Sequence, residues 1–306
     1  MKARPRSRLD TALRWSPAQL LFRVRAAGHL TVLAYHGIDD PDRFRQQLRY
    51  LVRTTRPVSL EQVAAAVTGT GMLPERATLL SFDDGARSLV ESGLPLLRER
   101  GLPAVAFVVA GLVDTDTPFW WTEAEHLAGN GGRVESLPGL APAGLVRRLK
   151  QLPDAERLAA LEELRRTAAA PAPPVPQLRR SELARLESAG VAVGNHTLTH
   201  PILPRCDDGT VETEVAKAHR ALGEALGHPP TTFAYPNGDW DARAERLLAT
   251  LGYTTAFLFD HRVNPRPPGH PLRISRVRVN SDTGPDRFAA IVSGLHPAVH
   301  HARGGA

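Results

Sequence analysis

The sequence of 306 residues has little sulfur: it contains one cysteine, Cys206, and two methionines. A single thiol excludes an intramolecular disulfide and a cysteine-based zinc cluster, so any metal would be bound by histidine and carboxylate side chains. We expect Cys206, which follows a Pro-Arg loop, to be a buried or half-buried apolar residue and not a ligand.

Long apolar runs are missing as well. The longest apolar stretch near the start, residues 20–22, is far shorter than the roughly 7 to 15 residues of an export signal, and no later run approaches a membrane span. The sequence therefore predicts a cytoplasmic protein, peripheral to a membrane at most, without a signal peptide or a transmembrane segment.

Acidic residues are scarce in one region only. Residues 1–28 carry seven basic side chains and one acidic side chain, whereas the rest of the chain carries 31 of each. The net charge of +6 thus comes from this basic arm, and we expect no nucleic-acid partner for the rest of the chain. Two interpretations of the arm stay open: a solvated tail, or a short basic helix that contacts an anionic membrane or an acidic partner through Trp15, Leu20, Leu21 and Phe22.

The composition, 42% hydrophobic and 23% charged, is typical of a globular enzyme-sized protein, and the length fits one α/β barrel with additions. Short apolar runs alternate with segments of helical period, a pattern that predicts β/α units and a mostly parallel sheet. We predict strands at residues 30–34, 78–82, 104–109, 191–194, 232–234 and 255–259. We predict helices at residues 42–54, 60–67, 87–100, 182–188, 211–226 and 241–251.

Residues 119–177 interrupt this alternation, because they hold two or three helical patterns and a proline-rich end but no convincing strand. We interpret them as a helical insertion. The predicted organisation is a basic arm at 1–28, one folded domain at 29–296 that contains the insertion, and a tail at 297–306.

Polar side chains follow four of the predicted strands, at the point where each strand ends. They are Tyr35-His36, Asp83-Asp84-Gly85, Asn195-His196 with His200 close behind, and Tyr235-Pro236-Asn237-Gly238. Ligands bind at the carboxyl edge of parallel strands in α/β proteins. Four such groups at one edge therefore indicate one site.

Within this set, Asp84, His196 and His200 form a two-histidine, one-carboxylate group, which leaves open positions on Zn²⁺ or a similar dication. The neighbouring Asp83 is suited to act as a base, because a bound dication lowers the pKa of its water to about 7. His36 could then serve as the general acid that protonates a departing nitrogen.

These motifs resemble those of the NodB-homology polysaccharide deacetylases of carbohydrate esterase family 4, over residues 30–295. SFDDG at residues 81–85 resembles the family motif TFDDG, with serine in place of threonine, and HTLTH at residues 196–200 resembles H(S/T)xxH. The resemblance implies a distorted (β/α) barrel with fewer strands than the regular eight-stranded barrel. It implies Asp83 as the base and Asp84, His196 and His200 as ligands of one divalent metal, zinc first and cobalt or nickel as alternatives.

The later motifs differ from the common family pattern. Residues 235–238 read YPNG where many members have RxPxG, so the arginine that orients the base is missing from its usual place. Arg276 resembles an element of the exopolysaccharide branch and is the candidate replacement. Tyr35-His36 resembles the histidine element of the poly-N-acetylglucosamine branch, and we favour His36 over His296 as the acid.

The sequence thus predicts an enzyme that removes N-acetyl groups from an amino sugar in a polysaccharide or glycan precursor. Candidate substrate-binding residues are Tyr235, Pro236, Asn237, Gly238 and Trp121, although Trp121 and its neighbours could instead be core anchors. Three alternatives stay open: hydrolysis of another acylated amide or ester, glycan binding without catalysis, and a non-haem iron oxygenase.

Overall fold

A computed structural model describes residues 8–302 of the chain, so residues 1–7 of the predicted arm and 303–306 of the predicted tail lie outside the described residues. Nine strands are present in this part of the chain. They are β1 (His29–Tyr35), β2 (Arg56–Pro57), β3 (Ala77–Phe82), β4 (Ala104–Val108), β5 (Val191–Asn195), β6 (Thr232–Ala234), β7 (Thr255–Phe257), β8 (Asn264–Pro265) and β9 (Val277–Arg278).

The described helices surround this sheet. They are α1 (Arg8–Trp15), α2 (Pro17–Arg25), α3 (Pro41–Thr54), α4 (Leu60–Val67), α5 (Leu94–Glu99) after a π-helical turn at Leu89–Gly93, α6 (Trp120–Gly129), α7 (Pro142–Leu149), α8 (Asp154–Thr167), α9 (Arg180–Ser188), α10 (Asp208–Leu226), α11 (Ala242–Thr250), α12 (Pro285–Val292) and α13 (Leu295–Ala302). All six predicted strands and the predicted helices are present, most with ends shifted by one to three residues.

The sheet has the order β7-β6-β5-β4-β3-β1-β8, and every pairing from β7 to β1 is parallel. It is strongly curled. Phe107 on β4 and Phe257 on β7 lie three strands apart, which is about 14 Å in a flat sheet, yet their ring centroids are 5.4 Å apart. The two rings therefore meet inside a barrel, and the predicted distorted (β/α) barrel is confirmed.

An irregular segment, residues 274–278, closes this barrel. Ile274 pairs with Phe257 of β7, and β9 pairs in parallel with Leu33 and Ala34 of β1, the last of the parallel strands that begin with β7. Arg276 lies between these two contacts and is fully buried. The closing segment thus brings an arginine into the barrel next to strand ends that are far away in sequence.

The three helices α6, α7 and α8 account for the interval predicted as an insertion, and they have a hydrophobic cluster of their own. Trp120, Leu127, Leu149 and Leu164 belong to this cluster. Burial of such side chains stabilises the unit without a strand. The domain boundaries themselves stay a prediction.

Within residues 8–302, no helix combines the length and the apolar character needed to cross a bilayer.

Candidate active site

The site begins at the end of β3, where a fully buried strand leads into Asp83 and Asp84. Asp84 has a φ of 68° and Gly85 a φ of 77°, so the chain turns sharply through left-handed conformations. A Cβ on Gly85 would lie 3.3 Å from Val108 Cγ1. Glycine therefore permits the turn that directs the two adjacent carboxylates to different partners.

Both carboxylate oxygens of Asp83 accept hydrogen bonds from the Arg276 guanidinium group. Arg276 Nη1 and Nη2 donate to Asp83 Oδ1 and Oδ2 at 2.6 and 2.9 Å, and Nη1 also donates to Ser81 Oγ at 3.3 Å. Arg276 Nε donates to the Leu258 carbonyl at 2.8 Å. Such a two-point pair holds both groups in one geometry.

The charge of Asp83 follows from this pair. Burial raises the pKa of the Asp83 carboxyl, but the positive charge of Arg276 lowers this pKa by a larger amount, so the net pKa lies below the ordinary value. The side chain is therefore an ionised, oriented carboxylate at neutral pH. Ser81, at the serine-for-threonine position of the motif, adds one acceptor for Arg276.

Asp84, His196 and His200 converge on one point. The Nε2 atoms of His196 and His200 lie 3.5 and 3.6 Å from Asp84 Oδ1, and one candidate ligand atom of each residue lies within 4.8 Å of the other two. Zinc bonds of about 2.0 to 2.2 Å in a tetrahedral arrangement place ligand atoms roughly 3.4 Å apart. The spacing of these atoms therefore fits a metal centre.

The protonation of the two imidazoles supports the same interpretation. His196 Nδ1 is 2.8 Å from the Ala234 carbonyl, which can only accept, so Nδ1 carries a proton, and the neutral form of this imidazole has its lone pair on Nε2. Burial lowers the pKa of His200 to about 3. A neutral imidazole facing a carboxylate oxygen brings electron pairs together, an arrangement that a cation between them would stabilise.

The HTLTH turn is held by two side chains, those of Asn195 and Thr197, to which the sequence analysis assigned no specific role. Thr197 and His200 have left-handed φ values of 67° and 62°, which are uncommon for residues other than glycine. Asn195 Oδ1 accepts from Thr197 N at 2.7 Å, and Thr197 Oγ1 accepts from His200 N at 3.0 Å. Local side-chain acceptors thus stabilise the turn that directs both imidazoles inward.

Glu214 on α10 adds the main support from outside the turn. Its carboxylate accepts from Leu198 N at 3.0 Å, Thr199 N at 2.8 Å and Thr199 Oγ1 at 2.7 Å. Burial raises the pKa of Glu214. The sequence contains a signal for this residue, because Glu214 occupies a position within the buried stripe that also holds Val211 and Val215.

The insertion provides one wall of the site. Trp120 Nε1 donates to the His200 carbonyl at 3.0 Å, and the Trp121 ring lies 4.6 Å from the His200 ring, centroid to centroid. Trp120 is buried, whereas Trp121 is partly exposed and stacks on Phe119 at 4.7 Å. The core-anchor interpretation therefore fits Trp120, and Trp121 offers an aromatic face beside His200, one of the candidate metal-binding residues.

Lys150, at the end of α7, reaches the same region. Its Nζ lies 5.9 Å from the Trp121 ring centroid and donates to Asn237 Oδ1 at 3.4 Å. Burial lowers the pKa of Lys150, and the charge of Asp84 opposes that change. No sequence signal points to Lys150, since it lies in the insertion, far from both motifs.

In the YPNG segment the first two residues are buried and the third is exposed. Tyr235 and Pro236 are buried, and Tyr235 OH donates to the Leu272 carbonyl at 3.3 Å, so the Tyr235 ring belongs to the core and offers no surface to a sugar. Asn237 is exposed. A Cβ on Gly238 would lie 2.2 Å from Phe259 Cβ, so only glycine fits this approach of the two loops.

His36 follows β1 and is exposed at the same edge, where its ring packs edge-on against Phe259 at 5.6 Å. A positive charge on His36 lowers the pKa of both Asp83 and Asp84. His296 lies instead on α13, with its ring 6.5 Å from that of His300. Of the two candidate acids, His36 is the one whose charge acts on the carboxylates.

The fold and the site together define a class: (β/α) barrels with a paired aspartate and a two-histidine, one-carboxylate ligand group at the carboxyl edge of the sheet. A family model described as polysaccharide deacetylase matches residues 70–256 of this chain. The chain therefore belongs to the polysaccharide deacetylase family, and the resemblance noted in the sequence is confirmed.

Curated relatives match over shorter stretches. A poly-beta-1,6-N-acetyl-D-glucosamine N-deacetylase of Escherichia coli (strain K12) is 34% identical over 95 residues, which cover 27% of this chain and 14% of that protein. A chitooligosaccharide deacetylase of Bradyrhizobium sp. (strain ANU 289) is 33% identical over 90 residues, which cover 29% of this chain and 40% of that protein. The matches thus span less than half of these relatives.

Solved structures resemble the whole fold. IcaB from Ammonifex degensii has a TM-score of 0.60 and 22% identity, covering 87% of this chain and 97% of that chain. The Streptococcus pyogenes deacetylase PplD has a TM-score of 0.60 and 17% identity, covering 86% of this chain and 98% of that chain. At these identities the likeness establishes the fold alone.

Proposed function

We propose that this protein hydrolyses the N-acetyl amide of an acetylated amino sugar within a polysaccharide or glycan precursor. The observation that carries the proposal is the pairing of Asp83 with Arg276 directly beside the convergent Asp84, His196 and His200 atoms. The curated relatives named above, which carry deacetylase names, support this substrate class.

The three convergent residues would hold one divalent ion, zinc first and cobalt or nickel second. When bound, such an ion polarises the acyl oxygen and lowers the pKa of a coordinated water. Neutral His200 and the fixed tautomer of His196 suit both imidazoles to this role. Asn237, Gly238 and Trp121 would contact the sugar.

The protein's own side chains then move the protons. Asp83, kept ionised and oriented by Arg276, accepts a proton from the attacking water. The water oxygen forms a bond to the acetyl carbon, and the bond from that carbon to nitrogen breaks. Protonated His36 gives its proton to the leaving amine, so that acetate and a free amino sugar result.

Acetate release tests the proposal. Metal-stripped protein is refilled with Zn²⁺, Co²⁺ or Ni²⁺ and assayed on the N-acetylglucosamine monomer and oligomers, with bound metal measured in parallel. We expect metal-dependent release that Asp84→Ala abolishes. Asp83→Asn should bind metal but lose turnover, whereas His200→Ala should lose both. Near-normal turnover by Asp83→Asn, or stoichiometric metal without release on any substrate, would contradict the proposal.

The role of His36 needs a separate comparison. General acid catalysis contributes typically 10²- to 10⁴-fold for a poor leaving group such as an amine. His36→Gln should therefore slow release from the glycan far more than release from p-nitrophenyl acetate, whose leaving group needs no proton. His296→Gln is the matched control, and equal losses on the two substrates would contradict an acid role for His36.

We also propose that the basic arm brings the protein to an anionic membrane surface. The cytoplasmic location stays a prediction from the sequence.

A further inference from the structure

The two N-terminal helices expose a group of large apolar side chains. Trp15, Leu20, Leu21 and Val24 are 77%, 67%, 66% and 64% exposed. Single exposed leucines are common on soluble proteins, but adjacent ones on consecutive helices mark an interaction surface.

Helix α2 packs on the end of α12 through the buried Gln19 and the partly buried Phe22. Gln19 is 3% exposed; its Nε2 donates to the Ala289 carbonyl at 3.2 Å, and its Oε1 accepts from Ser293 Oγ at 3.1 Å. This helix thus faces the chain with Gln19 and Phe22 and presents Leu20, Leu21 and Val24 to solvent.

Arginines border the apolar side. At about 100° per residue, Leu20, Leu21 and Val24 share one arc of α2, and Arg23 and Arg25 lie on either side of it. A helix with an apolar stripe between basic residues is suited to lie in the interface of a membrane, with its long side chains reaching to the headgroups.

A pocket of about 300 Å³ adjoins this helix. Arg23, Arg53 and Arg76 line it together with Tyr50, whose hydroxyl accepts from Arg23 Nη2 at 3.3 Å. No carboxylate lines the pocket. Within residues 8–302, none of these three arginines takes part in an ion pair. Guanidinium groups without a carboxylate partner are well suited to bind phosphate.

We propose that this docking surface, made of Trp15, Leu20, Leu21 and Val24 with the pocket arginines, binds an anionic membrane, and that the pocket takes a phosphate-bearing lipid headgroup. A second copy fits less well. A two-fold dimer would place the same surface on both sides of the interface, so the unpaired arginines would face each other.

The proposal fixes the orientation of the protein on the membrane. Thr78, near the start of β3, lines the pocket, and Asp83 directly follows the end of that strand. Five residues of strand separate them by about 17 Å. The candidate active site therefore faces away from the bilayer, toward polymer that extends from the surface.

Vesicle co-sedimentation of the full chain tests the docking surface. We expect binding to phosphatidylcholine vesicles that contain phosphatidylglycerol and not to pure phosphatidylcholine vesicles. The triple change Leu20→Ser, Leu21→Ser and Val24→Ser, all at exposed positions, should weaken binding at least about tenfold. Arg53→Gln and Arg76→Gln should each weaken it roughly fivefold.

Matched controls come from α8, where Leu158 and Arg166 are exposed far from this surface in sequence. Leu158→Ser and Arg166→Gln should leave vesicle binding unchanged. Full binding by the triple variant would overturn the proposal. So would binding of inorganic phosphate without vesicle binding, or a concentration-dependent dimer that the triple change abolishes in a protein that ignores vesicles.

Brominated lipids test the orientation, because they quench only tryptophans near the bilayer. Trp15 belongs to the docking surface, whereas Trp240 is 39% exposed and follows the loop after β6, at the edge that carries the site. Trp15→Phe should remove most of the quenched emission, and Trp240→Phe should remove none of it. Quenching that disappears with Trp240 would overturn the orientation.

Discussion

The arginines at the two edges of the barrel sheet differ in burial and in their partners. At the carboxyl edge, Arg276 is fully buried and makes two hydrogen bonds to buried Asp83. At the amino edge, Arg53 and Arg76 are exposed and line a pocket without carboxylates. The first arrangement holds a reactive group in one geometry, and the second leaves cations free for an external anion.

Arg276→Gln should have the largest effect, because it leaves the buried Asp83 carboxylate without its partner. Removing one member of a buried ion pair typically costs about 3 to 5 kcal/mol. We expect a loss of this size in the free energy of unfolding, measured in urea, together with loss of acetate release.

Two further variants make this prediction decisive. Asp83→Asn with Arg276→Gln should lose less stability than the sum of the two single changes, since no unpaired charge remains. Arg273→Gln, just before the closing segment, removes an exposed arginine that pairs with Glu245 of α11 and should cost no more than about 1 kcal/mol. Strict additivity, or equal costs for Arg276 and Arg273, would contradict the distinction between a buried and an exposed arginine.

The pair also shows where sequence-based prediction succeeds and where it ends. Asp83, Asp84, His196 and His200 directly follow or lie close behind buried strands, so strand periodicity and motif spacing were enough to bring them together. Arg276 came from the family resemblance alone. Its position depends on a short segment that pairs only through a bridge at Ile274 and the two-residue strand β9, and such a segment is too short for its periodicity to be recognised in the sequence.

The wall of the site that the helical insertion forms could not be predicted from the sequence, for a similar reason. The packing of the insertion on the barrel determines where Lys150 lies and why Trp120 is buried whereas Trp121 is partly exposed. Local sequence does not encode this packing. Tyr235 illustrates the opposite error, because a polar residue at a strand end was assigned to the substrate although its ring is buried. Glu214, in contrast, could be found as a charge within an apolar stripe.

Glu214→Gln should have the next largest effect, on the metal. The Glu214 carboxylate accepts hydrogen bonds from Leu198 and Thr199, and an amide, which has one acceptor oxygen and no charge, can keep only some of them. The HTLTH turn that carries His196 and His200 should therefore be held less firmly. Loss of such an outer partner typically lowers metal affinity about 10- to 100-fold. Competition with a metal-binding dye measures it. Glu212→Gln, an exposed change on the same helix, is the control, and equal affinities for the two variants would contradict the role of Glu214.

Lys150→Met should act on substrate binding. The variant removes a half-buried ammonium that contacts Asn237 Oδ1 and the Trp121 face, where we place the sugar. Hydrogen bonds to charged groups contribute about 1.5 to 3 kcal/mol, so KM for the oligomer should rise roughly tenfold or more with a smaller change in kcat. Lys217→Met, at an exposed lysine of α10, should leave KM unchanged. A fall in kcat alone would contradict a binding role.

Arg53→Gln should have the smallest effect on stability, and it completes the contrast with Arg276. Arg53 is exposed and, within residues 8–302, makes no ion pair. Surface changes of this kind stay within about 0.5 kcal/mol. Urea unfolding of Arg53→Gln and Arg276→Gln side by side should therefore separate the two arginines by several kcal/mol. If Arg53→Gln destabilises the protein as much as Arg276→Gln, the amino-edge arginines stabilise the fold and are not held free for a ligand.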